Sequence, residues 1–327
     1  MRYIVYGAGA IGAALGAGLQ KAEHEVVLIA RGAHAQALRE RGLRVESQAG
    51  PAQLPVRVVE HPRALKFDAA RDIVILAMKT QHLEDALTEL AALAPAELPV
   101  ACAQNGVEAE RLALRRFANV QAISVLVPAV YLEPGVVQLF ASPRSGVLDL
   151  GRYPSGRNTT SETLSAALRS ASFHSEVRDD IQVAKYSKLI ANLGNAIEAL
   201  SGPSARKSAV AEVLREEAFA VLRAAGIRID LDAAAKRSAL VVPKPLGAAE
   251  RPGGSSWQSL SRQTGNIETD YLNGEIVLLG RLHGVPTPAN QLVQRLANAY
   301  ARERRSPGSL PLQELARQVE ARVRSLD

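Results

Sequence analysis

At 327 residues the chain is too long for one ordinary core and suits two domains. Apolar residues at 47% and charged residues at 22% describe a globular protein and exclude a disordered one. A net charge of +6 raises nucleic-acid binding, but the basic residues are scattered apart from Arg302, Arg304 and Arg305, and 4% aromatic content leaves no stacking platform for single strands. The charge therefore reads first as a solubility property, compatible with an anionic dinucleotide and an acid substrate, and no nucleic-acid partner is expected. The lone Cys102 excludes an internal disulfide and suits a reducing compartment. Arg2–Tyr6 lead straight into a structural motif without a leader pattern, and apolar stretches such as Ile73–Met78 are too short for a bilayer. The expectation is a cytoplasmic protein with no membrane partner.

In chain order, Tyr3–Tyr6, Glu25–Ile29, Ile73–Ala77, Pro99–Ala103 and Ala122–Val127 are predicted strands, and Gly12–Lys21, Ala33–Arg41, Leu83–Leu93 and Glu108–Phe117 are predicted helices between them. This alternation predicts an α/β fold: an N-terminal Rossmann-type doubly wound sheet of βαβ units. Short runs broken by Pro and Gly over Gly135–Arg152 predict an antiparallel extension. Helical periodicity then takes over in Ile181–Leu200, Ala209–Ala225, Asp232–Val241, Ser256–Thr264, Ile267–His283 and Pro288–Arg304, punctuated by Pro/Gly clusters. The expected organisation is an NADP-binding Rossmann domain over residues 1–178 and an all-α substrate and catalytic domain over 179–327. Leu312, Leu315 and Val319 stand near helical spacing in the tail, which either packs as a last helix or mediates self-association; a homodimer stays open.

The loop Gly7-Ala8-Gly9-Ala10-Ile11-Gly12 follows a strand and opens a helix, the context in which GxGxxG binds a dinucleotide. Gly7 makes the tight turn, Gly9 lets the pyrophosphate reach the backbone, Gly12 lets helix and strand pack closely, and the helix N-terminus offers N–H groups to phosphate. The second strand ends in Ala30-Arg31 with no acid to bind a ribose 2′-hydroxyl. An arginine suits a 2′-phosphate, so NADPH is the expected cofactor, the alternative being a surface arginine. The histidines and Cys102 show no HxxxH or CxxC spacing, so no metal site is expected.

The blocks GAGAIG, ARGAHAQAL, AMKTQ, AQNGVE, KYSKLIANLGNA and SSWQSLSRQTGNIETDYLNGEIVLLGRLHGVPTPAN, in that order over residues 1 to about 305, resemble the ketopantoate reductase (2-dehydropantoate 2-reductase) family. The resemblance implies NADPH-dependent reduction of a 2-oxo acid to a 2-hydroxy acid, ketopantoate to pantoate for pantothenate and coenzyme A biosynthesis, in a cleft between the two domains. It implies that Lys79 approaches the cofactor and that Asn105 contacts nicotinamide and substrate. It makes Lys188 the acid that protonates the carbonyl oxygen as hydride reaches carbon, a charge that a lysine within about 3 Å can stabilise and neutralise. Lys185, three residues earlier, is the rival. Asn192 and Asn195 share a helical face with Lys188 and would bind substrate, or else cap or satisfy a core carbonyl. Ser256 would bind the substrate carboxylate, with a helix cap as the bland alternative, and Glu268 would meet the cofactor ribose or assist the lysine.

Two departures touch substrate recognition. Family members place the second asparagine eight residues after the lysine, where this chain has Ala196, and Gly253 stands where they carry an asparagine. A same-family reductase of another branched 2-oxo acid is therefore the close alternative, and a non-catalytic NADP(H)-binding sensor the more distant one.

Overall fold

The computed structural model of the protein describes residues 1–324; residues 325–327, the end of the expected second domain, lie outside the described residues. Eleven strands follow in order: β1 (Arg2–Tyr6), β2 (Glu25–Ile29), β3 (Leu43–Ser47), β4 (Gly50–Leu54), β5 (Arg57–Val59), β6 (Asp72–Leu76), β7 (Val100–Cys102), β8 (Val120–Leu126), β9 (Ala129–Val130), β10 (Val136–Leu139) and β11 (Val147–Arg152). The helices are α1 (Ala10–Lys21), α2 (Gly32–Arg41), α3 (Leu83–Ala91), α4 (Ala109–Leu114), α5 (Thr159–Ser170), α6 (Ile181–Asn192), α7 (Gly194–Ser201), α8 (Ala209–Ala224), α9 (Leu231–Ala239), α10 (Ser255–Ser261), α11 (Asn273–His283), α12 (Pro288–Arg302) and α13 (Leu312–Arg324). No helix among the described residues is long and apolar enough to cross a membrane.

Seven strands form one sheet in the order β11-β8-β7-β6-β1-β2-β5, parallel throughout except for β11 against β8. Successive residues of each strand face opposite sides, and both sides are apolar. Tyr3, Val5, Ile73 and Ile75 pack with α1 and α5, whereas Ile4, Tyr6, Val74 and Leu76 pack with α3 and α4. This double burial is why the strands read as continuous apolar runs. The strand order reverses direction between β1 and β6, the switch point at which doubly wound sheets open a crevice at their carboxyl ends.

No apolar run announces three short strands: β3 and β4, which lie in a second sheet of order β4-β3-β10-β9, and β5, which closes the main sheet. The expected antiparallel extension is antiparallel where β10 meets β9 and β11 meets β8, but β10 runs parallel to β3. Helix α5 also goes beyond the predicted elements; Asn158 and Ser161 close a capping box at its start.

The chain forms two compact units. The first holds Met1–Gln104, Glu108–Lys185 and Leu231–Arg251; the second holds Asn105–Val107, Tyr186–Asp230 and Pro252–Asp327. Leu231–Arg251 thus groups with the sheet although it follows residue 178. Arg237 of α9 forks onto the buried Asp149 carboxylate of β11 and reaches Glu176, and the Lys244 N–H donates to the Phe140 carbonyl. In the helical unit, α13 buries Leu315 and Val319 in the core it shares with α8 and α12, so the described part of the tail packs as a last helix.

Candidate functional site

In the first unit the glycine loop sits between β1 and α1. Gly7 has φ +97, and a Cβ there would lie 2.6 Å from the Met78 nitrogen. A Cβ on Gly12 would overlap the Gly7 carbonyl oxygen and come within 3.1 Å of Val5 Cγ1. Packing therefore demands glycine at both ends of the loop. Gly9 differs: nothing lies within 4 Å of where its Cβ would be. The protein leaves an open cradle at that position, directly before the first turn of α1, whose N-cap Gly9 supplies no side-chain hydrogen bond. Open space beside unsatisfied helix amides fits a dinucleotide pyrophosphate.

His34, inside the second block of the sequence, holds this loop from outside. Its Nε2 donates to the Ala8 carbonyl at 2.7 Å while its Nδ1 accepts from the Gly135 N–H at 2.9 Å. That pair of bonds requires the neutral tautomer with the proton on Nε2. Burial lowers the imidazole pKa and outweighs the hydrogen bond to Ala8, which raises it.

Arg31 follows β2 and is exposed, as a 2′-phosphate ligand would need to be, but its guanidinium is already engaged. It donates to Glu89 Oε2 at 2.8 Å and to the Tyr6 hydroxyl at 3.2 Å, and Tyr6 also donates to Glu89 at 2.6 Å. Burial pushes the Glu89 carboxyl up; hydrogen bonds from Tyr6 and His61 and the charge of Arg31 prevail and leave it below its usual range. Burial and Glu89 push the Tyr6 phenol up. Lys79 is half-buried in the turn after β6, next to Met78, whose backbone touches Gly7. Gln104 donates to the Leu76 and Met78 carbonyls and secures that turn.

In the second unit the polar residues of α6 and α7 converge on Asn105. Asn192 is buried and donates from Nδ2 to Asn105 Oδ1 at 3.3 Å, and Asn195, also buried, donates to Asn192 Oδ1 at 3.5 Å. Lys188 stands half-buried one turn before Asn192 on α6. The stretch predicted as helical over Ile181–Leu200 divides into α6 and α7 at Leu193, whose N–H still donates to the Leu189 carbonyl at 3.1 Å and whose carbonyl accepts from the Asn273 amide at 3.3 Å. Ala196 lies in the apolar core. Gly106 after Asn105 has φ +78, and a Cβ there would meet the Tyr271 carbonyl at 2.5 Å. The Asn-Gly turn is thus an ordinary turn pair and also a close approach to the Glu268–Tyr271 turn, where Glu268 is buried.

Lys185 has a different setting. It is 3% exposed, forms an ion pair with the fully buried Glu110, and donates to the Gln104 carbonyl at 3.3 Å. A lysine committed to a buried carboxylate anchors structure, because leaving either charge alone in the core is costly. Cys102 is buried nearby, and burial, followed by the Glu110 charge, pushes its thiol pKa up.

Ser256 is 1% exposed, and its hydroxyl has no hydrogen-bond partner among the described residues. It does not cap α10, whose N-cap Gly254 carries no side-chain bond. A buried hydroxyl without a partner is uncommon and calls for one. A Cβ on Gly253 would collide with the Trp257 side chain, so the missing asparagine reflects the packing of Trp257. Two residues that no motif marks, Glu198 and Arg206, connect these segments. Arg206 donates to Asn195 Oδ1 and Glu198 Oε2, each at 2.7 Å, and Glu198 Oε1 accepts from the Gly254 N–H at 3.0 Å.

Comparison with known proteins agrees with this architecture. Residues 3–155 match the family description "Ketopantoate reductase PanE/ApbA", and residues 180–301 match that of its C-terminal part. A 2-dehydropantoate 2-reductase of Mesorhizobium japonicum is 32% identical over 338 residues, covering 93% of this chain and 99% of the relative. The crystal structure of a PanE/ApbA family ketopantoate reductase from Ralstonia eutropha JMP134 is similar with a TM-score of 0.77 and 30% identity, covering 93% of this chain and 99% of that one. The ternary structure of D-mandelate dehydrogenase with NADH and anilino(oxo)acetate shares the fold at a TM-score of 0.79 and 23% identity, over 94% of this chain and 100% of that one. With a dinucleotide loop on a doubly wound sheet, a helical second half, and relatives matched from end to end, the chain belongs to the ketopantoate reductase family and is an NAD(P)-dependent oxidoreductase acting on CH–OH groups.

Proposed function

We propose that the protein reduces a 2-oxo acid to the 2-hydroxy acid with NADPH, ketopantoate to pantoate first, as a cytoplasmic step of pantothenate and coenzyme A biosynthesis. The observation that carries this reading is the row Asn105–Asn192–Asn195, linked through Arg206 and Glu198 to the segment that holds a buried Ser256 hydroxyl lacking a partner. Such a set offers several N–H and O–H donors to a small anion. In this reading Gly7, Ala8, Gly9, Ala10, Ile11 and Gly12 hold the pyrophosphate at the start of α1, Arg31 the 2′-phosphate, and Lys79, Asn105 and Glu268 the nicotinamide half. The cofactor, when bound, supplies hydride.

The remaining chemistry belongs to the chain. Asn192, Asn195 and Ser256 bind and orient the carboxylate and carbonyl. The Lys188 ammonium donates a hydrogen bond to the carbonyl oxygen, stabilises the negative charge that develops there, and delivers the proton. The pairing of Lys185 with Glu110 supports a structural role for that lysine and leaves Lys188 as the acid.

Steady-state assays with a panel of 2-oxo acids, each with NADPH and NADH, test the proposal. The expected result is the highest kcat/KM for ketopantoate with NADPH. The second reading, the same chemistry on a different branched 2-oxo acid, is favoured by Ala196 and Gly253, and turnover of another acid in the absence of ketopantoate turnover establishes it. Binding of NADPH with no turnover of any acid would instead mark a sensor. A homodimer belongs to the same proposal, supported by the exposed Leu278 and Leu282 one turn apart on α11, and light scattering in solution tests it.

A further inference from the structure

Hydrogen bonds along the asparagine row all point the same way. Arg206 Nη1 donates to Asn195 Oδ1 at 2.7 Å, Asn195 Nδ2 donates to Asn192 Oδ1 at 3.5 Å, and Asn192 Nδ2 donates to Asn105 Oδ1 at 3.3 Å. An isolated asparagine amide can turn over at little cost, exchanging its oxygen for its nitrogen. A guanidinium has no acceptor, so the Asn195 atom facing Arg206 must be the oxygen. That choice places Asn195 Nδ2 toward Asn192, which must answer with its oxygen, and the same logic passes to Asn105. Asn195 and Asn192 each spend one N–H along the row and keep the second, while the terminal Asn105 is left with its nitrogen outside the row's own bonds.

Arg206 is itself held. Its Nη1 also meets Glu198 Oε2 at 2.7 Å, and its Nη2 donates to the Ala191 carbonyl at 3.1 Å. Glu198, 6% exposed, uses its other oxygen for the Gly254 N–H two residues before Ser256. One ion pair therefore braces both the asparagine row on α6 and α7 and the start of α10.

We propose that Arg206 is a positioning residue for substrate recognition: its guanidinium sets the orientation of the Asn195, Asn192 and Asn105 amides so that the row presents N–H donors to the carboxylate and carbonyl oxygens of a 2-oxo acid, while Glu198 ties the row to the segment bearing Ser256. This rests on the reading of the row as the substrate site. It also explains how an asparagine one step around the helix from the family position serves: Arg206 holds it from behind.

The test compares Asn195→Ala, Arg206→Met, Arg206→Lys and the double variant Arg206→Met/Glu198→Gln in the full chain, with ketopantoate and NADPH. The double variant leaves no unpaired buried carboxylate, so it reports on the amides even where Arg206→Met alone fails to fold. Expected are a rise in ketopantoate KM of roughly tenfold, the scale of one charge-assisted hydrogen bond, in Arg206→Met or in the double variant. The KM for NADPH should stay within about twofold, and Arg206→Lys should recover part of the loss because it restores one donor. Adding Asn195→Ala to Arg206→Met should cost little more than either alone, since both act through the same amide. A lowered melting temperature with an unchanged ketopantoate KM in Arg206→Met and in the double variant overturns the proposal while Asn195→Ala still raises KM, leaving the site reading intact. An unchanged KM in Asn195→Ala overturns both.

Discussion

Two glycines of one loop should respond in opposite ways to the same added methyl. At Gly12 the new Cβ would overlap the Gly7 carbonyl oxygen and sit 3.0 Å from the Gly7 carbonyl carbon and 3.1 Å from Val5 Cγ1. Carbon atoms in contact prefer about 3.5–4.0 Å, and the Gly7 atoms are backbone that cannot rotate away. Helix α1 must then shift off β1, and overpacking of this kind costs about 1–3 kcal/mol. The expected fall in melting temperature is roughly 2–10 °C, with coenzyme binding lost as the helix N-terminus moves. At Gly9 the added Cβ meets nothing, and φ −69 with ψ −160 suits any L-residue. Gly9→Ala should therefore melt no lower than the parent, or slightly higher by the about 0.4–1 kcal/mol gained from a stiffer unfolded chain. Its methyl nevertheless fills the cradle, so the Kd for NADPH should rise at least about tenfold through loss of backbone approach. Thermal unfolding and titration of NADPH fluorescence measure the two quantities separately. Parent-like NADPH binding in Gly9→Ala would refute the assignment of that space to the pyrophosphate, and a parent-like melting temperature in Gly12→Ala would refute the packing argument.

Other perturbations separate roles in the same manner. Lys188→Ala should lower kcat by at least about a hundredfold, a typical general-acid effect, with NADPH binding nearly kept; unchanged turnover would move the acid elsewhere. Arg31→Ala should weaken NADPH by on the order of ten- to hundredfold while sparing NADH, and Glu89→Gln, which removes the carboxylate now holding Arg31, should strengthen NADPH binding instead; equal effects on both coenzymes would count against a 2′-phosphate contact. Because the His34 pKa in the fold lies below the 6.5 of the free side chain, the unfolded chain takes up the proton first. Stability should then decline as pH falls below about 6.5 and level off once the folded imidazole also titrates, a slope that His34→Gln should lack when melting is followed from about pH 8 to about pH 5. Lys185→Met should destabilise by about 3–5 kcal/mol by stranding Glu110 in the core, whereas Lys185→Met/Glu110→Leu should restore most of that; a double variant as unstable as the single would show that the pair does more than balance charge.

Much of the sheet unit was legible in the sequence because β1, β2, β6, β7 and β8 are buried on both faces and so advertise themselves as apolar runs. Strands β3, β4 and β5 were not, since they are short and only Leu43 and Val45 among them are fully buried, which leaves no continuous apolar run. The glycine loop was readable for a related reason: Gly12 is required by its close neighbours Val5 and Gly7, and Gly7 by Met78 at the neighbouring strand end, and the spacing preserves them. Glu198, Arg206, Glu89 and His34 carried no such mark. A lone charge or imidazole in a helix or loop looks the same whether it faces water or clamps a neighbour.

The sequence by itself determined a two-part chain, α/β and then helical, with a dinucleotide-type loop at Gly7–Gly12, because local periodicity and glycine spacing encode backbone geometry directly; the reductase chemistry came from the family resemblance. Which lysine is spent on structure was decided only by tertiary structure, through Glu110 arriving beside Lys185 from 75 positions away. Tertiary structure likewise decided that Arg31 is shared with Glu89, that Ser256 is a buried hydroxyl and not a cap, and that Arg206 donates to Asn195. These are questions of which polar groups satisfy one another once water is excluded. Partners for that purpose are chosen by the fold, not by neighbourhood in the chain.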